Sequence, residues 1–225
     1  TLKDIDDPIA IVHGGGKEIT ALQTRLGIEP RYVDGLRITD AESLALVEMV
    51  LCGTVNKRIV RTLVNAGIDA VGLSGVDGGL VSAQKLFHES VDMGFTGEVT
   101  AVRVDLLIEY LDQGIIPVIA PICLGEDNNF NVNADHVAGA VAAALEADRL
   151  VFVSNVEGVL RDGAVIPQLT PQRVGDLIAD GTIFGGMIPK VKTALEALAE
   201  GVEQAVITNL AGLARGGGTV FTETT

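Results

Sequence analysis

The stretch IAIVHGGGKEI, residues 9–19, runs an apolar segment into three consecutive glycines and then a charged pair that opens a helical pattern. One glycine is enough for a strand-to-helix turn, since a residue without a Cβ adopts the backbone angles a tight reversal needs. Three in a row predict a close approach to the backbone. A strand, a glycine turn and a helix start together offer N–H groups that no helical turn closes on, at the positive end of the helix. That is an anion site by construction. A tight turn without a ligand is the alternative reading of the same residues.

The rest of the chain narrows the chemistry. No G-x-x-x-x-G-K-[ST] loop is present, and a dinucleotide fingerprint fails after Gly16. HGGG also occurs in esterase oxyanion turns, but the matching G-x-S-x-G elbow is missing. Strand and helix patterns alternate from end to end. The spacing predicts helices over 17–26, 40–65, 105–113, 134–147, 171–179 and 188–200, with Gly53 breaking the long second one. Buried strands are expected at IAIVH, DAVGLSG, IIPVIAP, RLVFVS, EQAVIT and GTVF, with GLVSA and GEVTAV forming an antiparallel hairpin flap. Repeated strand–helix–strand order implies right-handed crossovers and a mainly parallel sheet. The expected fold class is α/β, with the sheet between helical layers. A boundary between two lobes is expected at the end of the Ala-rich helix, giving 1–146 and 147–225.

Bulk composition excludes several functions. A formal net charge of −14 repels nucleic-acid backbones and anionic lipids, and aromatic content of 4% leaves little for base stacking. It does not exclude a small anion in a cleft with its own cations. No apolar run approaches the roughly 20 residues a membrane-spanning helix needs, and the opening TLKDIDDPIA is not a signal peptide. Only two cysteines, Cys52 and Cys123, occur, both in apolar runs, so a disulfide framework or zinc site is not expected and a cytoplasmic protein is.

Four further constellations carry chemistry. DGLRIT places Arg37 in a short loop, where a guanidinium can hold a carboxylate with two parallel hydrogen bonds; an exposed arginine paired with an acid is the plainer reading. NVNADHVAG packs Asn131, Asn133 and Asp135 into a helix start. Capping explains Asn133 and Asp135 but leaves Asn131 idle. SNVEGVL follows a buried strand at its C-terminal end, where open α/β sheets bind ligands. GGMIPKV carries Lys190 in the first turn of a helix, where a cation opposes the dipole unless an anion offsets it. Lys192 is read as solvated.

Taken together, VHGGG, GLRIT, VNK, GLSGVDGG, NVNAD and GGMIPKV occur in an order and at separations that resemble the amino acid kinase family, over nearly the whole chain. Each motif is weak alone; six in order are not. The resemblance implies a three-layer αβα sandwich around a mainly parallel open sheet. The N-terminal lobe would hold an acyl amino acid and contribute to dimerisation, and the C-terminal lobe would hold ATP. It implies phosphorylation of the side-chain carboxylate of N-acetyl-L-glutamate, on the route to arginine. An N-acetylated or carrier-linked α-aminoadipate is the alternative substrate, and a non-catalytic sensor of nucleotide or amino acid is the alternative of another class.

By position, the resemblance makes Gly15 and Gly16 backbone donors to substrate and transferring phosphate. Arg37 becomes the clamp on the substrate α-carboxylate, and Asn131 and Asn133 substrate contacts. Asp135 organises the catalytic lysines, and Lys190 stabilises the phosphoryl group in flight. Asn155, Val156, Glu157, Gly158, Val159 and Leu160, with Thr182, Ile183 and Phe184, become nucleotide contacts. The acceptor carboxylate is already ionised at neutral pH, so no general base is required and His13, His88 and His136 need no catalytic part. Mg²⁺ would arrive with the nucleotide, with no protein metal site. A homodimer is the expected assembly, a hexamer the alternative, and neither nucleic acid nor membrane is expected as partner. Two positions depart from the pattern. Asn155 stands where many relatives carry Asp. Family members also open with a strand bearing a lysine and a Gly-Gly pair, whereas Lys3 lies in a polar run without glycines, so that strand is expected upstream in the intact protein.

Overall fold

A computed structural model describes Ile5 and residues 7–223. The chain divides into two compact units, Asp6–Ala138 and one built on Gly139–Thr225. The division falls inside a helix, upstream of residue 146.

The unit Asp6–Ala138 starts with strand β1 (Ile11–Val12), the glycine turn and helix α1 (Gly16–Arg25). A hairpin follows, β2 (Tyr32–Val33) and β3 (Leu36–Arg37), then α2 (Ala41–Glu48), a π-helical stretch Met49–Val55 and α3 (Asn56–Asn65). Next come β4 (Ala70–Ser74), β5 (Val81–Lys85), β6 (Thr96–Val102), α4 (Val104–Asp112), β7 (Ile116–Ala120), β8 (Ile122–Leu124), β9 (Asn129–Val132) and the start of α5 (Ala134–Ala144). Strands β1, β7 and β4 form a parallel sheet with β7 central. Val118, Ile119 and Ala120 of β7 are fully buried, as befits a strand covered on both faces, and α3 and α4 both pack on it.

Local chemistry explains the elements. Asp34 and Gly35 both have positive φ, the geometry a two-residue hairpin turn demands and an Asp-Gly pair favours, so Arg37 lies on strand β3 of a hairpin rather than in a loop. Asp40 caps α2 by accepting from the Ser43 amide at 2.9 Å. The long helix is not broken at Gly53, as its glycine suggested. It widens into a π turn and continues, because Val50, Leu51 and Val55 stay in the core on either side. The expected hairpin flap is half of what forms. Strands β5 and β6 pair antiparallel, but β9 joins β6, β8 joins both β9 and β5, and the four close into a small barrel. The fourth strand, Ile122–Leu124, is three residues long, too short for any periodicity to register.

The unit built on Gly139–Thr225 contains β10 (Arg149–Val153), β11 (Leu160–Arg161), β12 (Ala164–Val165), β13 (Gln168–Leu169), α6 (Pro171–Ala179), α7 (Met187–Ala199), β14 (Gln204–Thr208), α8 (Leu210–Arg215) and β15 (Thr219–Phe221). Its sheet runs β10-β14-β15-β13, with β10 parallel to β14 and β15 antiparallel to it. Helix α7 packs on β10, β14 and β15. The small β11–β12 hairpin and α8 went unforeseen because neither is long enough to carry a period. The architecture is mixed α/β with parallel strands and flanking helices, consistent with the αβα layering expected. Lys3 lies outside the described residues.

One core cluster bears on the glycine turn. Ile19 of α1, Val47 of α2, Val50, Leu51 and Val55 of the π stretch, and Ala120 and Ile122 pack together. Burying a Val, Leu or Ile side chain contributes about 1.5–3 kcal/mol. A Cβ on Gly15 would lie 2.7 Å from Leu51 Cδ2 and 3.2 Å from Val55 Cγ2, whereas one on Gly16 would meet nothing within 4 Å. Gly15 is therefore a packing requirement as well as a place for a ligand to approach. Gly15→Ala is expected to cost about 1–3 kcal/mol of stability through overpacking. In a Leu51→Ala background the same change should cost less, and denaturant melts of the four proteins read the difference.

Candidate active site

Helix α1 presents Gly16, Thr20 and Gln23 along one stripe, the i, i+4, i+7 spacing of a helix face. The side chain of Arg37, delivered by β3, lies along that stripe. Its Nη2 donates to Thr20 Oγ1 at 2.9 Å and to the Gly16 carbonyl at 3.3 Å, and its Nη1 donates to Gln23 Oε1. The Tyr32 ring lies under the guanidinium, 4.8 Å from its centroid, a cation–π contact. Gln23 is held in turn by donating to Ser43 Oγ at 3.0 Å. Arg37 is only 8% exposed, which rules out the plainer reading of a solvated surface arginine.

The electrostatics of Arg37 are unusual. Burial lowers its pKa from the ordinary guanidinium value, yet every acceptor it meets is neutral, and no carboxylate forms an ion pair with it among the described residues. Removing a cation from water costs several kcal/mol, and an anion is what normally offsets the cost. A buried guanidinium satisfied only by neutral dipoles keeps a charge that a carboxylate could offset.

The backbone of the same segment ties in Asn131. Thr39 is fully buried, and its hydroxyl accepts from Asn131 Nδ2 at 3.0 Å. Thr96 Oγ1 donates to the Arg37 carbonyl at 2.5 Å and lies 3.1 Å from Thr39 Oγ1. Gly16, Arg37 and Asn131 are thus brought into one hydrogen-bonded assembly, drawn from α1, β3 and β9. Asn133 is spent on capping: its Oδ1 accepts from the Asp135 amide at 2.8 Å, as its sequence context suggested. Asp135 and Lys190 are each half-buried, Asp135 in the first turn of α5 and Lys190 in that of α7.

The expected nucleotide residues fall into two loops of the second unit. The loop leaving β10 begins with the Ser154 amide donating to the Thr208 carbonyl at 2.7 Å, which sets it beside the end of β14. Asn155, Glu157 and Leu160 are exposed and Val156 is half-buried, but Gly158 and Val159 are buried. The Val159 amide donates to Thr219 Oγ1 at 2.8 Å. In the other loop Phe184 is exposed, Thr182 half-buried and Ile183 a core residue, 1% exposed. The side chains of Val159 and Ile183 are therefore committed to packing, and any part they take in binding is through the backbone. Among the described residues no three His, Cys, Asp or Glu side chains converge as a metal cage, and no helix is long and apolar enough to cross a membrane.

A model of the amino acid kinase family matches residues 1–209. The chain belongs to the amino acid kinase family. It is 56% identical to the acetylglutamate kinase of Roseiflexus castenholzii over 213 residues, 95% of this chain and 82% of that one. It is 49% identical to that of Methanopyrus kandleri, covering 96% and 91% respectively. Among solved structures, smu.665 from Streptococcus mutans UA159 superposes with a TM-score of 0.86 at 33% identity, over 96% of this chain and 86% of that one.

For a member of this family, several supporting residues escaped the sequence reading. Thr20 and Gln23 were recoverable from the helical spacing to Gly16, and Thr39 sits inside the quoted GLRIT. Thr96 was not recoverable, since only the barrel brings β6 to the Arg37 backbone. Burial pushes the Cys52 thiol up to about 11 and the Cys123 thiol up to about 12, which disfavours the thiolate at both. His13 is buried, and that burial lowers its pKa, with Arg58 reinforcing the effect and the Gly14 carbonyl and Glu18 opposing it. The unfolded chain therefore takes up this proton before the folded one. Stability from His13 is complete above the free histidine value of about 6.5 and lost as pH falls from there toward the lowered folded value. Thermal melts across that window should show a slope that a His13→Asn variant lacks.

Proposed function

We propose that the protein transfers the γ-phosphoryl group of ATP to the side-chain carboxylate of N-acetyl-L-glutamate, a step of arginine biosynthesis. The observation that carries this reading is the buried, carboxylate-seeking Arg37 joined to the glycine turn and Asn131, in a chain 56% identical to an acetylglutamate kinase over 95% of its length. In this reading the unit Asp6–Ala138 recognises the acyl amino acid and the unit built on Gly139–Thr225 the nucleotide.

The chemistry asks for little covalent assistance. The acceptor is an ionised carboxylate, so nothing need remove its proton. The obstacle is electrostatic, because one anion must approach another. Catalysis then rests on positioning and charge neutralisation, as in phosphoryl transfer generally. Arg37 fixes the α-carboxylate, and Asn131, oriented by Thr39, contacts the same substrate. The amides of Gly15 and Gly16 donate toward the transferring group, Lys190 offsets its developing charge, and Asp135 takes the organising role that the family resemblance implies. The loops at 155–160 and 182–184 hold the nucleotide, with Leu160 and Phe184 offering apolar surface. Mg²⁺ would arrive with the nucleotide, held by phosphate oxygens and water, and when bound would neutralise phosphate charge. The assembly we favour is a cytosolic homodimer, tested against a hexamer by native mass.

A coupled assay offering N-acetylglutamate and N-acetyl-α-aminoadipate tests the acceptor. N-acetylglutamate should be preferred by roughly 10–200-fold, the discrimination one methylene allows. Preference for the longer acid, or turnover of neither, would overturn the reading. Arg37→Lys loses the planar fork and should raise KM for the acyl amino acid about 10–100-fold while leaving KM for ATP unchanged. Lys190→Ala should instead lower kcat by about 10²–10³ with little change in either KM.

A further inference from the structure

The V-N-K run at residues 55–57 takes no part in the function proposed above, and neither does His13. The structure joins them. Lys57 Nζ lies 3.1 Å from Asn56 Oδ1 and 3.2 Å from the Gly72 carbonyl. An ammonium only donates, so the carboxamide of Asn56 must turn its oxygen toward Lys57 and its nitrogen inward. There Nδ2 lies 2.8 Å from the Val118 carbonyl of β7, 3.2 Å from the Leu73 carbonyl of β4 and 3.2 Å from His13 Nε2, its two N–H bonds shared among the three. An amide nitrogen also only donates, so Nε2 of His13 accepts, and the one proton of a neutral imidazole sits on Nδ1. Nδ1 is 3.0 Å from the Gly14 carbonyl and donates to it.

We infer that Lys57, Asn56 and His13 form a one-way relay of donors that fixes the Gly14–Gly15 peptide and so aims the Gly15 amide. In a trans peptide the C=O and the following N–H point in opposite directions. Holding the Gly14 carbonyl toward the imidazole therefore turns the Gly15 N–H away from it. Lys57, Asn56 and His13 are positioning residues; none touches the reacting atoms.

Three observations support a built device rather than incidental contacts. Asn56 is fully buried, so its orientation is not left to solvent. Gly72 reserves the space: a Cβ there would lie 2.0 Å from Asn56 Oδ1 and 2.6 Å from Lys57 Nζ. His13 is kept neutral by burial, with Arg58 of α3 adding to the effect and Glu18 of α1 opposing it. An imidazolium would donate from both nitrogens and set Nε2–H against the Asn56 N–H.

The inference rests on the reading of Gly15 as a donor to the transferring group, and its test separates the two. ¹⁵N spectra of the full chain at neutral pH report the tautomer of each of its three histidines, with His13 assigned by its loss in His13→Asn. His13 should carry its proton on Nδ1. Lys57→Met, at an exposed position, should give mixed tautomers at His13 and lower kcat about ten- to a hundredfold, the scale of a misaimed group, with both KM values near wild type. Lys57→Arg, another pure donor, should restore both. A wild-type His13 protonated at Nε2 overturns the relay. So does a Lys57→Met enzyme of normal kcat, whether its tautomer moves or not. Should wild type fail to phosphorylate N-acetylglutamate, the functional reading falls, and the wild-type tautomer still upholds or overturns the relay.

Discussion

A guanidinium buried among neutral dipoles sets the geometry of the candidate site in the unit Asp6–Ala138. Arg37 is reached by a carbonyl, a hydroxyl, a carboxamide oxygen and an aromatic face, none of which carries a formal charge. Each such contact offsets part of the desolvation cost without neutralising the cation. The geometry around Arg37 follows from that requirement. Helix α1 must show a polar stripe, Gly16–Thr20–Gln23, beside the apolar Ile19 and Leu22 that pack into the core. The β2–β3 hairpin must be tight enough to put Tyr32 opposite Arg37, which its register does. The far side of Gln23 must be satisfied too, which is the work of Ser43, placed by the Asp40 cap of α2. An acid in place of Gln23 would pair with Arg37 and compete with any incoming carboxylate. Neutral acceptors hold the side chain still and leave its charge unspent.

This resolves an apparent conflict in the composition. A chain of net charge −14 is a poor general receptor for anions. A local cation that is desolvated and fixed outweighs that diffuse field at short range, because exposed charges beyond about 8–10 Å are largely screened by physiological salt. Overall charge thus excludes extended polyanions and says little about one carboxylate.

How much of this was legible in the sequence depended on length and on locality. Helices and strands with several periods were read close to their limits: 171–179 coincides with α6, and 188–200 with α7 shifted by one residue. The Asp34-Gly35 turn was legible because its chemistry is local. Elements of two or three residues, such as β8 and the β11–β12 pair, were not, since they are too short to carry a period and β8 in addition pairs with β5, about forty residues away. The same holds at the site. Asn131 stood out as a residue that capping leaves idle, and Arg37 through its place in the motif series. Thr39, in an isolated bridge after β3, and Thr96, of β6, join them, and nothing in the sequence marks either until the fold places one hydroxyl against the other.

The glycine turn shows most clearly what sequence leaves undetermined. A missing Cβ serves an approaching ligand and a neighbouring side chain equally well, and three adjacent glycines do not say which serves which. The helical run 41–65 decides it. Because that run continues through a π turn instead of ending at Gly53, a single stiff element meets the turn twice. Leu51 and Val55 press on Gly15 from one point along it, and the next residue, Asn56, reaches His13. A break at Gly53 would have let Leu51 move independently of Val55 and Asn56. Continuity couples them, so the packing that excludes a side chain at Gly15 and the hydrogen bonds that hold the Gly14 carbonyl share one support. The open face is then left to Gly16, where a Cβ would meet nothing, and where the turn has room for a ligand.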